Sequence, residues 1–332
     1  MNRSLKILFM GTPEFGATIL RALVASPHKV IGVVTQPDRP AGRKNVLTPP
    51  PVKQAALELG LPVLQVERLR GAKVVAELKH FSQEADLFVV AAFGMLLSQT
   101  ILDLPPLKCI NVHGSLLPEY RGASPVAQAL LDGREETGVT IMRMEKGLDT
   151  GPMLSKVVIP ITPDETQTSL MQKLAESGAS LLLETLPRWA AGEIRPEPQD
   201  ETKATLTGII EKEAGRIDWR EPATLIERKT RAYDPWPGLF TYWKGQPLKI
   251  LKAEVFPEKR VTITEPHEPT EPGRVYLARI SDGGNQERLV IATGADFLAP
   301  LELQLAGKKA VKIKDFLQGQ RAIIGSQLAS QT

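Results

Sequence analysis

The sequence predicts an α/β chain in two parts: a mostly parallel sheet with helices on both faces, then a small β-barrel. Three observations predict it. Apolar runs of strand length alternate with helix-spaced segments as far as Ala191. Beyond a polar, proline-dotted stretch, short strand-like runs alternate with Gly, Pro and Asp turns. At 332 residues the chain is also longer than one typical domain.

The elements follow in order. Leu5–Met10 is an apolar run ending at a glycine, and Glu14–Ala25 has helical spacing. Val30–Thr35 is β-branched and apolar. Pro49–Gly60 carries proline at its start and glycine at its end, the asymmetry of a helix. Leu87–Phe93 and Cys109–Val112 read as buried strands and Thr137–Met144 as another strand; Ala123–Leu131 and Thr166–Ala191 read as helices. In sheets built this way the ligand crevice lies beyond the carboxyl ends of the strands. The stretch 192–207 reads as a linker. A helix follows near Pro222–Ala232. Strands are then expected at Gly238–Trp243, Leu248–Val255, Gly273–Ile280, Arg288–Ala292 and Leu298–Leu305.

Composition excludes several classes. Cys109 is the one cysteine, so neither a disulfide framework nor a cysteine-based zinc site is available. The N-terminal MNRSLKILFMG lacks the long apolar core of a signal peptide, and no apolar run reaches the roughly 18 residues of a membrane span. A cytoplasmic location without membrane contact is the expectation. The formal net charge is +3, and from Thr205 onward the chain carries 19 Lys+Arg against 16 Asp+Glu, so the excess lies in the second part. Such a balance is a weak pointer to nucleic acid.

The first turn, FMGTPEFG, is neither a dinucleotide fingerprint nor a P-loop: Gly11 and Gly16 stand five apart and Gly-Lys-Ser/Thr is missing. It reads either as a tight strand-to-helix turn or as a helix N-terminus open to an anion. The stretch Gln36–Lys53 holds five prolines, which argue against regular structure, together with Arg39, Arg43 and Lys44. It is either a surface connection or a basic loop that reaches an RNA backbone. The centre of the chemistry is Cys109–Pro125. Asn111 and His113 are two apart on a strand and face the same side, just before a glycine. Downstream, Asp149 stands in a glycine-flanked loop after another strand. Asn, His and Asp, each at a strand end or in a loop, suit acyl transfer. Ser115 has no nucleophile-elbow context, which favours direct transfer between two bound substrates. A single histidine without partner ligands makes no metal site, so no metal is expected.

The segments FMGTPEFG, QPDRPAGR, INVHGSLLP, YRGASP, GVTIMRMEKGLDTGPML, RIDW, RAYDPWPG and LQLAGKK, in this order, resemble the folate-dependent formyltransferases. HGSLLP and GLDTG are common to that wider family; the proline-rich loop and the C-terminal motifs resemble its methionyl-tRNA branch. The resemblance implies a Rossmann-like domain at 1–191, a linker at 192–207 and an OB-like barrel at 208–332 that binds tRNA. It implies 10-formyltetrahydrofolate as formyl donor, initiator methionyl-tRNA as acceptor and a monomer. The family's catalytic residues fall on Asn111, His113 and Asp149. Its folate-contacting segments fall on Ser115, Leu116, Leu117 and Pro118 and on Phe93, Gly94, Met95, Leu96 and Leu97. The loop approaching tRNA places Arg39, Arg43 and Lys44 there.

Two departures stand out. The run after Arg43 is Lys44-Asn45-Val46, with less lysine than many relatives carry, and Glu119 stands where a basic residue is common. Other readings are a sibling enzyme formylating a small amine, a formyl-folate hydrolase, and an RNA-binding protein on a degenerate scaffold. The missing glycine fingerprint disfavours a nicotinamide oxidoreductase.

Overall fold

The computed structural model describes residues 4–42, 45–266, 269–281 and 287–329. Two compact units emerge: residues 1–126, 135–161 and 169–208 form one, and residues 127–134, 162–168 and 209–332 form the other.

The first unit opens with β1 (Lys6–Gly11), α1 (Glu14–Val24) and β2 (Lys29–Thr35). A hairpin, β3 (Arg39–Ala41) and β4 (Val46–Thr48), precedes α2 (Pro51–Glu58) and β5 (Val63–Gln65). Then come α3 (Ala72–Phe81), β6 (Leu87–Ala91), α4 (Gln99–Leu102) and β7 (Cys109–His113). The chain continues through β8 (Arg121–Gly122), α5 (Pro125–Leu131), β9 (Glu136–Arg143), β10 (Met153–Pro160), α6 (Gln167–Ala190) and β11 (Leu206–Thr207). The main sheet has the order β10-β9-β7-β6-β1-β2-β5. Its five strands from β7 to β5 pair in parallel, as the alternating pattern predicts. Every residue of β6 and β7 is buried, the mark of strands covered on both faces.

Three details go beyond those expectations or correct them. The strand expected at Thr137–Met144 is present as β9 but runs antiparallel to β7, with Ile110 beside Arg143 and His113 beside Thr140. The proline-rich stretch does contain regular structure, because β3 and β4 pair with Pro40 opposite Leu47. A two-stranded ribbon has open edges where a proline's missing N–H costs nothing, and Pro51 begins α2, where the N–H has no helical partner. The stretch expected as a linker is hydrogen-bonded into the first unit, where β11 pairs with β8.

The glycines of the first turn serve packing. A Cβ on Gly11 or Gly16 would lie 2.8 or 3.0 Å from the Ala91 carbonyl oxygen. Glu14 occupies the first turn of α1, which opposes an anion there. The turn is tight, as one of the two readings of FMGTPEFG has it.

The second unit holds α7 (Ala223–Ala232), β12 (Leu239–Trp243), β13 (Gln246–Phe256), β14 (Val261–Glu265), β15 (Val275–Ile280), β16 (Glu287–Ala292), β17 (Phe297–Leu305), β18 (Val311–Lys312) and α8 (Ile313–Gln320). Its named strands pair antiparallel, in the order β12-β13-β17-β16-β15-β14, with β18 against β17. Tyr276, Ala278, Val290, Phe297 and Ala299 form a buried cluster on this sheet.

Candidate active site

Strand parity puts Asn111 and His113 on one face of β7, and both are buried. After β7 the chain turns through a loop held by one threonine of the neighbouring strand. Thr140 Oγ1 donates to the Ser115 carbonyl at 2.7 Å and accepts from the Leu117 N–H at 3.1 Å. Ser115 Oγ donates to the Glu119 carbonyl at 2.7 Å. The loop ends at Tyr120, whose positive φ of 60° turns its carbonyl back onto His113 Nε2 at 2.9 Å.

Asp149 reaches the same place from elsewhere. The antiparallel register of β9 sets its end beside the start of β7, so the following loop folds back over the sheet face. There Asp149 Oδ2 lies 3.6 Å from His113 Nδ1, and Oδ1 accepts from Asn111 Nδ2 at 3.4 Å. The Gly122 N–H donates to Oδ2 at 2.9 Å. Asp149 has a φ of 54°, a left-handed conformation that only a well-braced loop sustains in a residue with a Cβ. Gln199 braces it, donating from Nε2 to the carbonyls of Asp149 and Gly151, both at 2.7 Å.

The structure thus brings Asn111, His113 and Asp149 into one cluster. Ser115 and Leu117 face inward, the latter packed on Met142 and Met153, while Leu116 and Pro118 keep partial exposure. β6 pairs with β7, and in the loop that follows β6 Phe93 and Leu97 are buried in the core, Met95 is half-buried, and Gly94 and Leu96 are exposed. Thr12 Oγ1 and Gln36 Nε2 both donate to the Phe93 carbonyl at 3.0 Å. Arg39 is exposed on β3, whereas Arg43 and Lys44 lie outside the described residues. The base of that hairpin is fixed by Lys53, which donates to both oxygens of Asp38 at 2.8 Å. That bond, with a second from Gln65, holds the Asp38 carboxyl below its usual range.

The sequence reading missed Arg121, Gln199, Glu201 and Thr205. The last three lie in the stretch expected as a linker, where nothing local marks them. Thr205 Oγ1 accepts from the Tyr120 N–H at 2.7 Å. A cleft of about 680 Å³ in the second unit, lined in part by Arg216, Asp218, Trp219 and Arg220, contains none of the clustered residues. Convergent polar side chains, rather than cavity size, mark the chemistry. Among the described residues no group of three or more His, Cys, Asp and Glu is placed to hold a metal ion.

On the face of a mostly parallel sheet, buried Asn111 and His113 converge with half-buried Asp149, a set of side chains suited to an acyl-transfer enzyme. The chain belongs to the formyl transferase family: residues 5–186 match the formyl transferase domain and residues 209–321 match the formyl transferase C-terminal domain. Its relatives include methionyl-tRNA formyltransferases. That of Chloroflexus aurantiacus is 47% identical over 318 residues, covering 96% of this chain and 98% of its own. That of Desulfotalea psychrophila is 44% identical over 331 residues, covering 100% of this chain and 97% of its own.

Solved structures share the fold at low identity. An N-formyltransferase from Helicobacter canadensis, complexed with folinic acid and dTDP-3-aminofucose, has a TM-score of 0.59 at 16% identity, over 89% of this chain and 99% of that one. HypX from Aquifex aeolicus, complexed with tetrahydrofolic acid, has a TM-score of 0.60 at 17% identity, over 96% of this chain. This chain spans about half the length of HypX, 48%.

Proposed function

We propose that this protein transfers the formyl group of 10-formyltetrahydrofolate to the α-amino group of initiator methionyl-tRNA, as a monomer in the cytoplasm. The observation that carries the reading is the near full-length likeness to enzymes of that name in a chain whose Asn111, His113 and Asp149 converge. Residues 1–191 act as the catalytic domain, 192–207 as the connection and 208–332 as the tRNA-positioning domain.

The neutral amine attacks the formyl carbon on N10, and a tetrahedral intermediate forms with negative charge on its oxygen. One N–H of the Asn111 amide points at Asp149; the other serves the oxyanion. The Tyr120 carbonyl can only accept, so His113 Nε2 carries a proton and Nδ1 is the nitrogen that exchanges one. The ammonium proton of the attacking nitrogen leaves through Nδ1. Nδ1 passes that proton to N10, the C–N10 bond breaks, and tetrahydrofolate departs. Asp149 holds the imidazole in register throughout. Phe93 to Leu97 and Ser115 to Pro118 wall the folate site, and Arg39, Arg43 and Lys44 meet tRNA phosphates.

The test is formyl transfer by the purified protein with charged initiator tRNA, charged elongator tRNA or no acceptor. Formylation confined to the initiator is expected. Folate consumption that ignores tRNA would replace this reading with hydrolysis or a small-amine acceptor.

A further inference from the structure

The Arg121 side chain is only 5% exposed. Burying a guanidinium is costly unless its donors are met. Here they are met by two residues of the 192–207 stretch. Nε and Nη2 donate to Gln199 Oε1 at 3.0 and 2.8 Å, and Nη1 and Nη2 donate to the two oxygens of Glu201 at 2.9 and 2.7 Å. This arrangement leaves the Gln199 amide one orientation. Its oxygen faces the guanidinium and its nitrogen faces the carbonyls of Asp149 and Gly151; a flipped amide would set donor against donor and acceptor against acceptor.

Arg121 also sits between the two backbone groups that touch the candidate site. Tyr120 gives its carbonyl to His113 Nε2, and Gly122 gives its N–H to Asp149 Oδ2. Gripping Arg121 on one side and the Asp149 backbone on the other, Gln199 ties the segment that holds the histidine to the segment that carries the carboxylate.

We propose that Gln199, oriented by Arg121 and Glu201, is a positioning residue for the formyl transfer: it sets the separation of His113 and Asp149. This rests on the function proposed above. A brace that only stabilised the fold would leave kcat alone in any variant that still folds. A brace that sets a reacting geometry lowers kcat without weakening substrate binding, because a displacement of ~1 Å can cost ~100-fold in rate.

Two variants test this. Q199E keeps an acceptor for Arg121 but has no donor for the two carbonyls, so the Arg121 grip survives while the Asp149 grip is lost. Q199A removes both. We expect both variants to melt cooperatively, with kcat for transfer to charged initiator tRNA down by about 10- to 100-fold. The KM of each substrate should stay within about twofold. Amide hydrogen exchange should accelerate in Gly147–Met153. Wild-type kcat in Q199E overturns the inference, and so does a loss confined to KM. If the wild-type protein itself transfers no formyl group to tRNA, it is the function that fails. The positioning role is then decided by exchange alone, and unchanged protection of Gly147–Met153 in both variants overturns it.

Discussion

His113 Nε2 lies 2.9 Å from the carbonyl oxygen of Tyr120. Because a carbonyl has no proton to give, the histidine donates there, and its chemistry is confined to Nδ1. That nitrogen faces the Asp149 carboxylate at 3.6 Å, with both side chains largely buried.

Asp149→Asn keeps the shape of the side chain and removes the charge beside Nδ1. We expect kcat to fall by ~10²- to 10⁴-fold, the range for losing general acid–base support, with folate affinity nearly unchanged. Steady-state kinetics alongside equilibrium folate binding check it. Retention of most of the wild-type turnover would remove Asp149 from the mechanism.

Thr140→Val is nearly isosteric but strips the hydroxyl that serves both the Ser115 carbonyl and the Leu117 N–H. Two buried backbone groups lose their partner, so stability should drop by about 1–3 kcal/mol. Urea denaturation measures it. A difference within error would mean that the loop re-pairs those groups unaided.

Gly122→Ala meets two obstacles. Gly122 has a φ of 112°, and an added Cβ would lie 2.3 Å from the Thr207 carbonyl oxygen. The β8–β11 pairing must open, and with it the N–H bond to Asp149. Lower thermal stability and lower kcat are expected together. A variant that loses stability alone would show that the Gly122 N–H is dispensable to catalysis.

Arg39 is exposed on the hairpin. If it meets phosphate, Arg39→Ala should raise KM for tRNA and reduce its dependence on salt by roughly one released counterion, leaving KM for the folate donor alone. An unchanged salt slope would place the tRNA backbone elsewhere.

Burial pushes the Cys109 thiol from 9.0 up to about 12. A folded-state value above the unfolded one means that the thiol's contribution to stability is fully present below about pH 9 and is lost as pH rises toward 12. Wild type should therefore lose stability faster than Cys109→Ala as pH climbs from 9, and thiol reagents should label the native protein only on unfolding. Parallel stability curves for the two proteins would contradict this.

Much of this was legible in the sequence because it is local. The apolar runs named the main strands, and the two-residue spacing put Asn111 and His113 on one face whatever lay beside them. The short β14 and α8 are not legible because neither has a pattern long enough to separate from its flanks. Proline does not exclude regular structure in Gln36–Lys53, because its missing donor costs a bond inside a sheet or helix but none at the open edge of a two-stranded ribbon or in a helix's first turn. The role of residues 197–207 left no trace, since Gln199, Glu201 and Thr205 are ordinary linker residues until Arg121 and Tyr120 face them.

By itself the sequence determined the alternation of strand and helix, the burial of β6 and β7 and the shared face of Asn111 and His113. These follow from side-chain periodicity within a single element. Only the tertiary structure decided that β9 runs antiparallel to β7, that the Asp149 loop therefore returns over the sheet face, and that Gln199 holds it there. Those outcomes depend on hydrogen bonds between residues 23 to 50 positions apart, whose partners no local pattern specifies.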